Sequence, residues 1–292
     1  MITTKSNFEW KYVEEGERIT LKFEGRQPVY FDATRPRVKK WLKSRHRGGA
    51  MHEPVFAFVL TKLIEKLDPD VYFDIEAFLG YFTLLPLAAL RPAARVYSFE
   101  MNKSSCELVR ANLEINSHLA PTRVFLVNAG ISGKTQFNQD VWVKGFKLKP
   151  QGPDGATNAR VDILTLDYIY SQMQIAPDLI KMDIEGFEAP GLDGAEVLLR
   201  EKRPAILFEL HSDVMLESHD ATRKSVLDKL RNANYTVLAV DGLRVQSVQT
   251  DRPLIRSDSS LYDLIASDDN SAFVAVPDEK LDLLADMIAV SL

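Results

Sequence analysis

The stretch 71-VYFDIEAFLGYFTLL-85 determines how the rest of the sequence is interpreted. Residues 71–75 have the length and composition of a buried strand, and Gly80 directly precedes an apolar segment with helical spacing. A strand, a glycine-containing turn and a helix in this order are typical of nucleotide-binding folds. Glu76 stands just after the strand, where such turns usually have a glycine close to the ligand. The stretch therefore predicts a cofactor-binding turn with one unusual residue.

Composition and charge set limits on the class of protein. The chain has 292 residues, of which 46% are hydrophobic and 26% charged, as in ordinary globular domains. A formal net charge of -5 gives no general attraction to nucleic acid, so we expect no nucleic-acid partner. The single cysteine, Cys106, excludes internal disulfides and multi-cysteine zinc sites. The longest apolar stretch, 78–90, is too short to span a bilayer, and the charged N-terminus is unlike a signal peptide, so we expect a cytoplasmic protein.

The pattern along the chain predicts two units. From residue 53 onward, short apolar strands alternate with amphipathic helices, which indicates an α/β fold with a mostly parallel sheet covered on both faces. Before it, two predicted strands form a hairpin, and the basic segment 35–47 follows. We interpret this segment as a solvated helix or arm, or alternatively as a positive lip for an anionic acceptor. Gly48-Gly49 marks a joint, which predicts an N-terminal extension at 1–50 and a main domain at 51–292.

Several predicted strands end in polar residues, and ligands bind at that edge of a parallel sheet. Glu100 closes the strand after the first βα unit, where an acid accepts hydrogen bonds from both ribose hydroxyls; the alternative is a solvated residue at a helix start. The sequence contains no G-x-G-x-x-G motif, which argues against NAD or FAD. The residues at predicted strand ends are Asp74, Glu100, Asn128, Asp183 and Glu209.

A second acidic group occurs in 178-DLIKMDIEGFE-188. Asp183, Glu185 and Glu188 crowd the end of one buried strand, which indicates positioning, proton transfer or metal coordination rather than packing. The next strand ends in 207-LFELH-211, where Glu209 and His211 share one face because side chains alternate with a period of two. His211 has either a structural or a catalytic role.

In this order, the motifs resemble the FkbM-type family of S-adenosylmethionine (SAM)-dependent methyltransferases. The resemblance implies a Rossmann-like methyltransferase sandwich with a mostly parallel seven-stranded sheet and with helices on both faces. It also implies SAM as the cofactor and methyl transfer to a hydroxyl on a small-molecule or carbohydrate acceptor, such as a sugar or natural product. The stretches that carry it lie within about residues 71–212: VYFDIEAFLGYFTLL, VYSFEMN, ELVRANLEIN, VNAGIS, ILTLDYI and DLIKMDIEGFEAPGLDGAEVLLREKRPAILFELH.

The resemblance places Asp183 and Glu185 beside the methyl group and the acceptor, and a hydroxyl needs a positioned base at neutral pH, so we assign roles to individual residues. Asp183 or His211 would be the base and Glu185 would orient the acceptor, with Glu209 beside them at the strand end. Alternatively, Asp183, Glu185 and Glu209 would hold a divalent ion that lowers the pKa of the hydroxyl; no ligand spacing in the sequence establishes a metal site. The predicted cofactor-binding residues are Asp74, Glu76, Ala77, Gly80, Tyr81, Glu100, Met101, Asn128, Ala129 and Asp183.

The first motif departs from the family pattern, which usually reads D-I-G-A-N-x-G where this chain has D-I-E-A-F-L-G. Glu76 adds bulk and a negative charge beside the cofactor, Phe78 removes a polar contact, and Pro86 is expected to kink the following helix. These departures support a rival hypothesis, a catalytically inactive methyltransferase-like binding or regulatory protein. A nucleotide-sugar-dependent transferase is a third reading, although a basic diphosphate pocket is missing from the strand ends. Neither the acceptor nor the oligomeric state follows from the sequence.

Overall fold

The computed structural model of the protein describes residues 10–23, 25–46, 52–144, 147–149, 151–242, 248–256 and 271–289. Arg47 of the basic segment, the Gly48-Gly49 joint and the predicted boundary between residues 50 and 51 lie outside the described residues. The division into two units therefore stays a prediction.

The described residues form fifteen strands and nine α-helices. In chain order, the strands are β1 (Trp10–Glu15), β2 (Arg18–Phe23), β3 (Val29–Asp32), β4 (Val71–Ile75), β5 (Arg95–Phe99), β6 (Val124–Val127), β7 (Ala129–Ile131), β8 (Gln136–Lys144), β9 (Lys147–Lys149), β10 (Ala159–Leu164), β11 (Leu179–Met182), β12 (Ala205–Leu210), β13 (Tyr235–Val240), β14 (Leu254–Arg256) and β15 (Ser271–Pro277). The helices are α1 (Pro36–Arg45), α2 (Pro54–Leu67), α3 (Tyr81–Leu87), α4 (Lys103–Glu114), α5 (Leu166–Met173), α6 (Glu188–Asp193), α7 (Glu196–Glu201), α8 (Asp213–Leu216) and α9 (Arg223–Asn232).

The central sheet has the strand order β14-β13-β15-β12-β11-β4-β5-β6. The five strands from β12 to β6 are parallel, and β15 runs antiparallel between β12 and β13. This arrangement is the Rossmann-like methyltransferase sandwich that the sequence predicts. The strand number differs, because the short edge strand β14, which the pattern does not reveal, makes the sheet eight-stranded rather than seven-stranded.

Side chains of the central strands alternate between two hydrophobic cores, as the period of two requires. In β4, Tyr72 packs on the face covered by α2, whereas Phe73 and Ile75 pack on the face covered by α7 and α9. Because both faces are covered, the strands are mostly apolar, and polar residues gather at the edge formed by their carboxyl ends. This edge carries the predicted site residues.

The N-terminal segment is a three-stranded antiparallel sheet, β1-β2-β3, with one strand more than predicted. Its buried residues belong to the same hydrophobic core as α2. The backbone of β3 also bonds to α4 and to the residues that follow it, because Asp32 N–H donates to Asn112 Oδ1 (2.9 Å) and Tyr30 N–H donates to Asn116 Oδ1 (2.8 Å). The basic segment forms α1 on this sheet.

Two local features differ from the sequence-based prediction. The stretch 123-RVFLVNAGIS-132, whose apolar pattern predicts a single strand, is divided at Asn128 into β6 and β7, and β7 joins the separate four-stranded sheet β7-β10-β8-β9. Pro86 does not kink a continuing helix, since α3 ends one residue later, at Leu87. As regards membranes, none of the helices in the described parts of the chain has the length and apolarity needed to cross a bilayer.

Candidate active site

The loop after β4 repeats an unusual backbone conformation at every second residue. Glu76 (φ 66°), Phe78 (φ 54°) and Gly80 (φ 85°) all lie in the left-handed region, which costs about 1–2 kcal/mol for each residue with a Cβ. The backbone N–H groups of Glu76 and Ala77 both donate to Phe99 O, each at 3.0 Å. Glu76 therefore adopts the backbone conformation that a glycine favours, and the turn of the first motif is retained at a cost in strain.

Glu100 joins this loop to the end of β5. Its Oε2 accepts a hydrogen bond from Phe78 N–H (2.8 Å), and its Oε1 accepts one from Asn102 N–H (2.7 Å). Burial raises the pKa of Glu100 to about 7, although both backbone hydrogen bonds lower it. Each oxygen keeps a further lone pair, so the carboxylate can still accept two hydroxyl groups of a ligand.

The segment predicted to lie near the adenine is next to Glu100. The side-chain amide of Asn128 donates to the carbonyl oxygens of Glu100 (2.8 Å) and Met101 (3.0 Å). Ala129 is buried, and Gly130 approaches Met101 so closely that an added Cβ would lie 3.1 Å from its Sδ. The structure thus brings these predicted residues together at one end of the sheet edge.

Asp74 lies beneath the loop rather than in an open site. It is completely buried, and its Oδ2 accepts a hydrogen bond from Thr83 Oγ1 (2.6 Å). Lys181 Nζ lies 3.5 Å from Asp74 Oδ1 and donates to the carbonyl oxygens of Ile75 (3.3 Å) and Glu76 (3.1 Å). Burial raises the pKa of Asp74 and Lys181 opposes this effect. The pair supports the loop from below, and Asp74 itself is closed to solvent.

The carboxylate of Glu76 lies in a strongly negative environment. Burial, followed by the charges of Asp183 and Glu100, raises the pKa of Glu76 well above its ordinary value. Among the described residues, none forms a hydrogen bond or an ion pair with this carboxylate. The side chain is therefore near the other predicted site residues, and a cationic group of a ligand would relieve the repulsion.

A second cluster lies beyond the ends of β11 and β12. His211 Nε2 is 3.5 Å from Glu185 Oε2 and 3.9 Å from Asp183 Oδ1, and Asp183 Oδ2 is also 4.0 Å from Lys181 Nζ. The Glu185 side chain is 67% exposed and that of Asp183 29%, whereas His211 is almost completely buried. The cluster therefore combines two solvent-accessible carboxylates with one buried imidazole, which suits proton transfer to or from a bound acceptor.

Glu188, at the first position of α6, holds the other side of the imidazole. His211 Nδ1 lies within hydrogen-bonding distance of Glu188 Oε1 (2.8 Å), and Glu188 has no exposed surface. Burial alone would lower the pKa of His211, but the hydrogen bond to Glu188 and the charges of Glu188, Asp183 and Glu209 raise it to about 9. In the ligand-free protein, His211 is therefore mainly an imidazolium at neutral pH.

The side chains that lie within metal-binding reach differ from the predicted set. Ligand atoms of Asp183, Glu185 and His211 all lie within 4.8 Å of one another, and this is the one such group among the residues that the structure describes. Glu209, which the metal hypothesis includes, is buried at the end of β12 and is not part of this group. Lys181 and His211 already lie beside the carboxylate of Asp183, so a metal is not required to balance its charge.

Tyr81 is directed toward the N-terminal elements. It is buried, its hydroxyl donates to His52 O (3.3 Å), and its ring packs against Trp41 of α1 at a centroid distance of 5.7 Å. Trp41 also contacts Phe78 at 5.6 Å. A contact between Tyr81 and a cofactor stays a prediction, and the structure instead gives it a role in joining the first motif to α1.

Much of the basic segment is paired within the N-terminal sheet. Lys39 and Lys43 both contact the carboxylate of Glu14, at 2.8 and 3.0 Å. The guanidinium of Arg45 lies 5.9 Å from the Trp41 ring centroid. These contacts favour the interpretation of 35–47 as a solvated helix, and an anionic acceptor stays a hypothesis.

Two charged residues of the site are not among the predicted catalytic and cofactor-binding residues. Lys181 is a lysine within the otherwise apolar strand LIKM, and an ionisable residue in a buried strand is a signal for a specific partner. Glu188 is the third acid of the group in DIEGFE, but its bond to His211 joins positions 23 residues apart. No local pattern could have revealed that bond.

Comparisons with known proteins give a family match and several weak structural matches. A family model described as "Methyltransferase FkbM domain" matches residues 74–237, which is more than half of the chain. No curated protein sequence matches.

Three solved structures illustrate the structural similarity. A methyltransferase FkbM from Methylobacillus flagellatus KT is 18% identical, with a TM-score of 0.43, and the match covers 71% of this chain and 44% of that one. An O-methyltransferase from Bacillus cereus in complex with SAH is 15% identical, with coverages of 84% and 91% and a TM-score of 0.43. A methyltransferase from Geobacter sulfurreducens is 14% identical, with coverages of 80% and 85% and a TM-score of 0.43. The chain thus spans less than half the length of the M. flagellatus protein.

Proposed function

Because the chain belongs to the FkbM methyltransferase family, we propose that it transfers the methyl group of SAM to a hydroxyl of a sugar or natural-product acceptor. The observation that carries this proposal is the Glu100 carboxylate at the end of β5. It is fixed by Phe78 and Asn102 N–H groups and keeps lone pairs for a ribose. No packing role requires a buried carboxylate at this point of the sheet edge.

The residues present are suited to SAM as donor. Glu100 would accept the ribose hydroxyls, and Met101, Asn128 and Ala129 would line the adenine side. SAM carries positive charge on its sulfonium and its ammonium, and at the other side the charges of Asp183 and Glu100 add to the effect of burial in raising the pKa of Glu76. The Glu76 carboxylate is placed to pair with the ammonium, since a charge-assisted hydrogen bond would remove the repulsion from its acidic neighbours.

For the acceptor, we assign the cluster beyond β11 and β12. SAM supplies an activated methyl group, so the protein has to orient the hydroxyl and take its proton. His211, in its neutral form, would accept the proton at Nε2, and Glu185 and Asp183 would hold the acceptor beside it. Because the pKa of His211 is about 9, the share of the neutral base rises about tenfold per pH unit below that value.

A catalytically inactive binding protein is the second candidate, and Glu76 is the observation that favours it. Its side chain stands where the family has none and is half-buried near Asp183 and Glu100. In this case, the carboxylate would occupy donor space instead of pairing with the donor.

Calorimetric titration with SAM and with its demethylated product SAH separates the two candidates. The proposal predicts saturable binding of both by the natural chain, and a loss of at least about tenfold in affinity for Glu100→Ala. Glu107→Ala, an exposed acid on α4, is the matched control and should bind as the natural chain does. Absence of binding by the natural chain, with binding in Glu76→Gly, would establish the second candidate.

A further inference from the structure

One interaction of the site has no role in the mechanism proposed so far: the bond between Glu188 and His211. Glu188 is the first residue of α6, has no exposed surface, and lies 2.8 Å from His211 Nδ1. A fully buried carboxylate is costly unless a partner compensates it. Its Oε1 also accepts a weaker hydrogen bond from Gly186 N–H (3.2 Å), and Oε2 has no hydrogen-bond partner among the described residues.

The chain between the two clusters is shaped to bring Glu188 under the imidazole. Gly186 has φ 97°, and a Cβ there would lie 3.0 Å from the Cβ of Met215. Only glycine therefore fits this close turn without displacing α8. The turn returns the chain from the exposed Glu185 to the buried Glu188 within three residues, so that the two carboxylates face opposite nitrogens of the same ring.

The two ring nitrogens consequently have different environments. An ionised carboxylate can only accept hydrogen bonds, so Nδ1 must carry the proton in the bond to Glu188. Nε2 is then the nitrogen whose proton can be gained and lost, and it is directed toward Asp183 and Glu185 on the accessible side. A buried acid on one nitrogen and a solvent-accessible site on the other is the usual arrangement of an oriented general base.

We propose that Glu188 is a positioning residue, which fixes His211 with its proton on Nδ1 and its Nε2 toward the acceptor side of the site. The role of the oriented His211 as a base rests on the proposed function. The orientation of the ring by Glu188 does not depend on that function. Glu188 acts through His211 and does not touch the acceptor, because it has no exposed surface.

The charges around His211 agree with this assignment. Glu188 faces the ring from α6, Asp183 and Glu185 from the segment after β11, and Glu209 from β12. The effect of Glu188 comes first among the causes that raise the pKa of His211, against the opposing effect of burial. Removing the charge of Glu188 should therefore change the titration of His211 more than removal of any other single acid.

Nuclear magnetic resonance of the ring nuclei of His211 tests the proposal in the full-length, ligand-free protein. The chain has five histidines, and the signals of His211 are identified by their loss in His211→Gln. For the natural chain, we expect a titration midpoint near 9 and, above it, nitrogen shifts of the Nδ1–H tautomer. In Glu188→Gln, the midpoint should fall by at least about one pH unit, toward the ordinary value of 6.5.

Controls keep this test independent of folding and of SAM. Glu217→Gln, an exposed acid after α8, should leave the midpoint unchanged, and Glu188→Asp should retain part of the upward shift. An unchanged midpoint in Glu188→Gln, or the Nε2–H tautomer in the natural chain, would overturn the proposal. The tautomer is measured in the natural chain, with only His211→Gln needed to assign the signals, so it decides even if Glu188→Gln does not fold. Because no SAM is present, failure of the proposed function would leave this result intact.

Discussion

Lys181 and Asp74 form a buried pair beneath the loop of the first motif, with Nζ 3.5 Å from Oδ1. The same ammonium donates to the carbonyl of Glu76 and lies 4.0 Å from Asp183. The Lys181 ammonium therefore links β4, which precedes the loop of the first motif, with β11, which precedes Asp183. This link explains why the loop keeps its turn although its central residue is Glu76 rather than glycine.

Replacement of Lys181 tests this link. Lys181→Met leaves Asp74 buried without its cation, and we expect a loss of about 3–5 kcal/mol in the free energy of unfolding. Urea denaturation measures this loss of stability. Lys134→Met, at an exposed position, is the matched control. The double variant Asp74→Asn, Lys181→Met should recover part of the loss. A loss below about 1 kcal/mol for Lys181→Met would show that the pair does not support the loop.

Glu76→Gly should stabilise the ligand-free protein. It removes the left-handed strain of a residue with a Cβ and the partial burial of a carboxylate among other acids, and the greater chain entropy of glycine partly offsets this gain. We expect the free energy of unfolding, measured by urea denaturation, to rise by about 1 kcal/mol. Asp220→Gly, at an exposed position with φ 53°, relieves backbone strain without releasing a carboxylate from a partly buried acidic site, and is expected to gain less. A decrease in stability for Glu76→Gly would mean that the carboxylate has a favourable partner.

The affinity for SAM should depend on pH through Glu100. Burial holds the pKa of Glu100 at about 7, and only the ionised carboxylate accepts both ribose hydroxyls. Below this pKa, the group is protonated, so binding should be about tenfold weaker at pH 6 than at pH 8. Calorimetric titrations at the two pH values measure the ratio. Glu100→Gln should bind more weakly at both and lose the tenfold difference, and an equal ratio in both proteins would contradict the assignment.

Stability should also change with pH through His211. Its pKa is raised from 6.5 to about 9 in the folded protein, so its contribution is complete below pH 6.5 and is lost as pH rises through 9. The difference in unfolding free energy between the natural chain and His211→Asn should therefore be about 3 kcal/mol larger at pH 6 than at pH 10. Urea denaturation at these pH values tests it, and a difference that does not vary with pH would refute the raised pKa.

Chelation should leave the protein unaffected, because Lys181 and His211 already lie beside the carboxylate of Asp183. With EDTA present, we expect the same SAM affinity as without it. The complementary experiment is calorimetric titration with Mg²⁺ and Zn²⁺. Saturable binding that is abolished in Asp183→Asn would instead identify Asp183, Glu185 and His211 as metal ligands.

The sequence predicts this fold well because its signals are local. Strands such as VYFDI and AILFEL are apolar on both faces, and each carries its polar residue at the edge where the chain leaves the sheet. The alternation of such strands with amphipathic helices was enough to predict the mostly parallel sheet, and the strand ends predicted the edge at which these polar residues gather. Strand β14 was missed because its three residues have no distinctive pattern.

The site was predicted less completely, because its decisive contacts connect distant parts of the chain. Glu100 is recognisable in the sequence because it directly follows β5, but its hydrogen bond with Phe78 N–H cannot be recognised from the sequence. Likewise, the sequence predicts a contact between Tyr81 and the cofactor, but it gives no sign that Trp41 of α1 packs against the Tyr81 ring. The pairing of His211 with Glu188 depends on how the turn at Gly186 folds back.

A crystal structure with SAH tests the central claim most directly, because it locates the donor relative to Glu100 and Glu76. The account predicts ribose hydroxyls within hydrogen-bonding distance of the Glu100 carboxylate, at about 2.6–3.0 Å. It also predicts the amino group of SAH beside Glu76 and its sulfur facing Asp183 and His211. Crystals grown with saturating SAH that show the Glu76 side chain in the donor position, and no SAH beside Glu100, would contradict it.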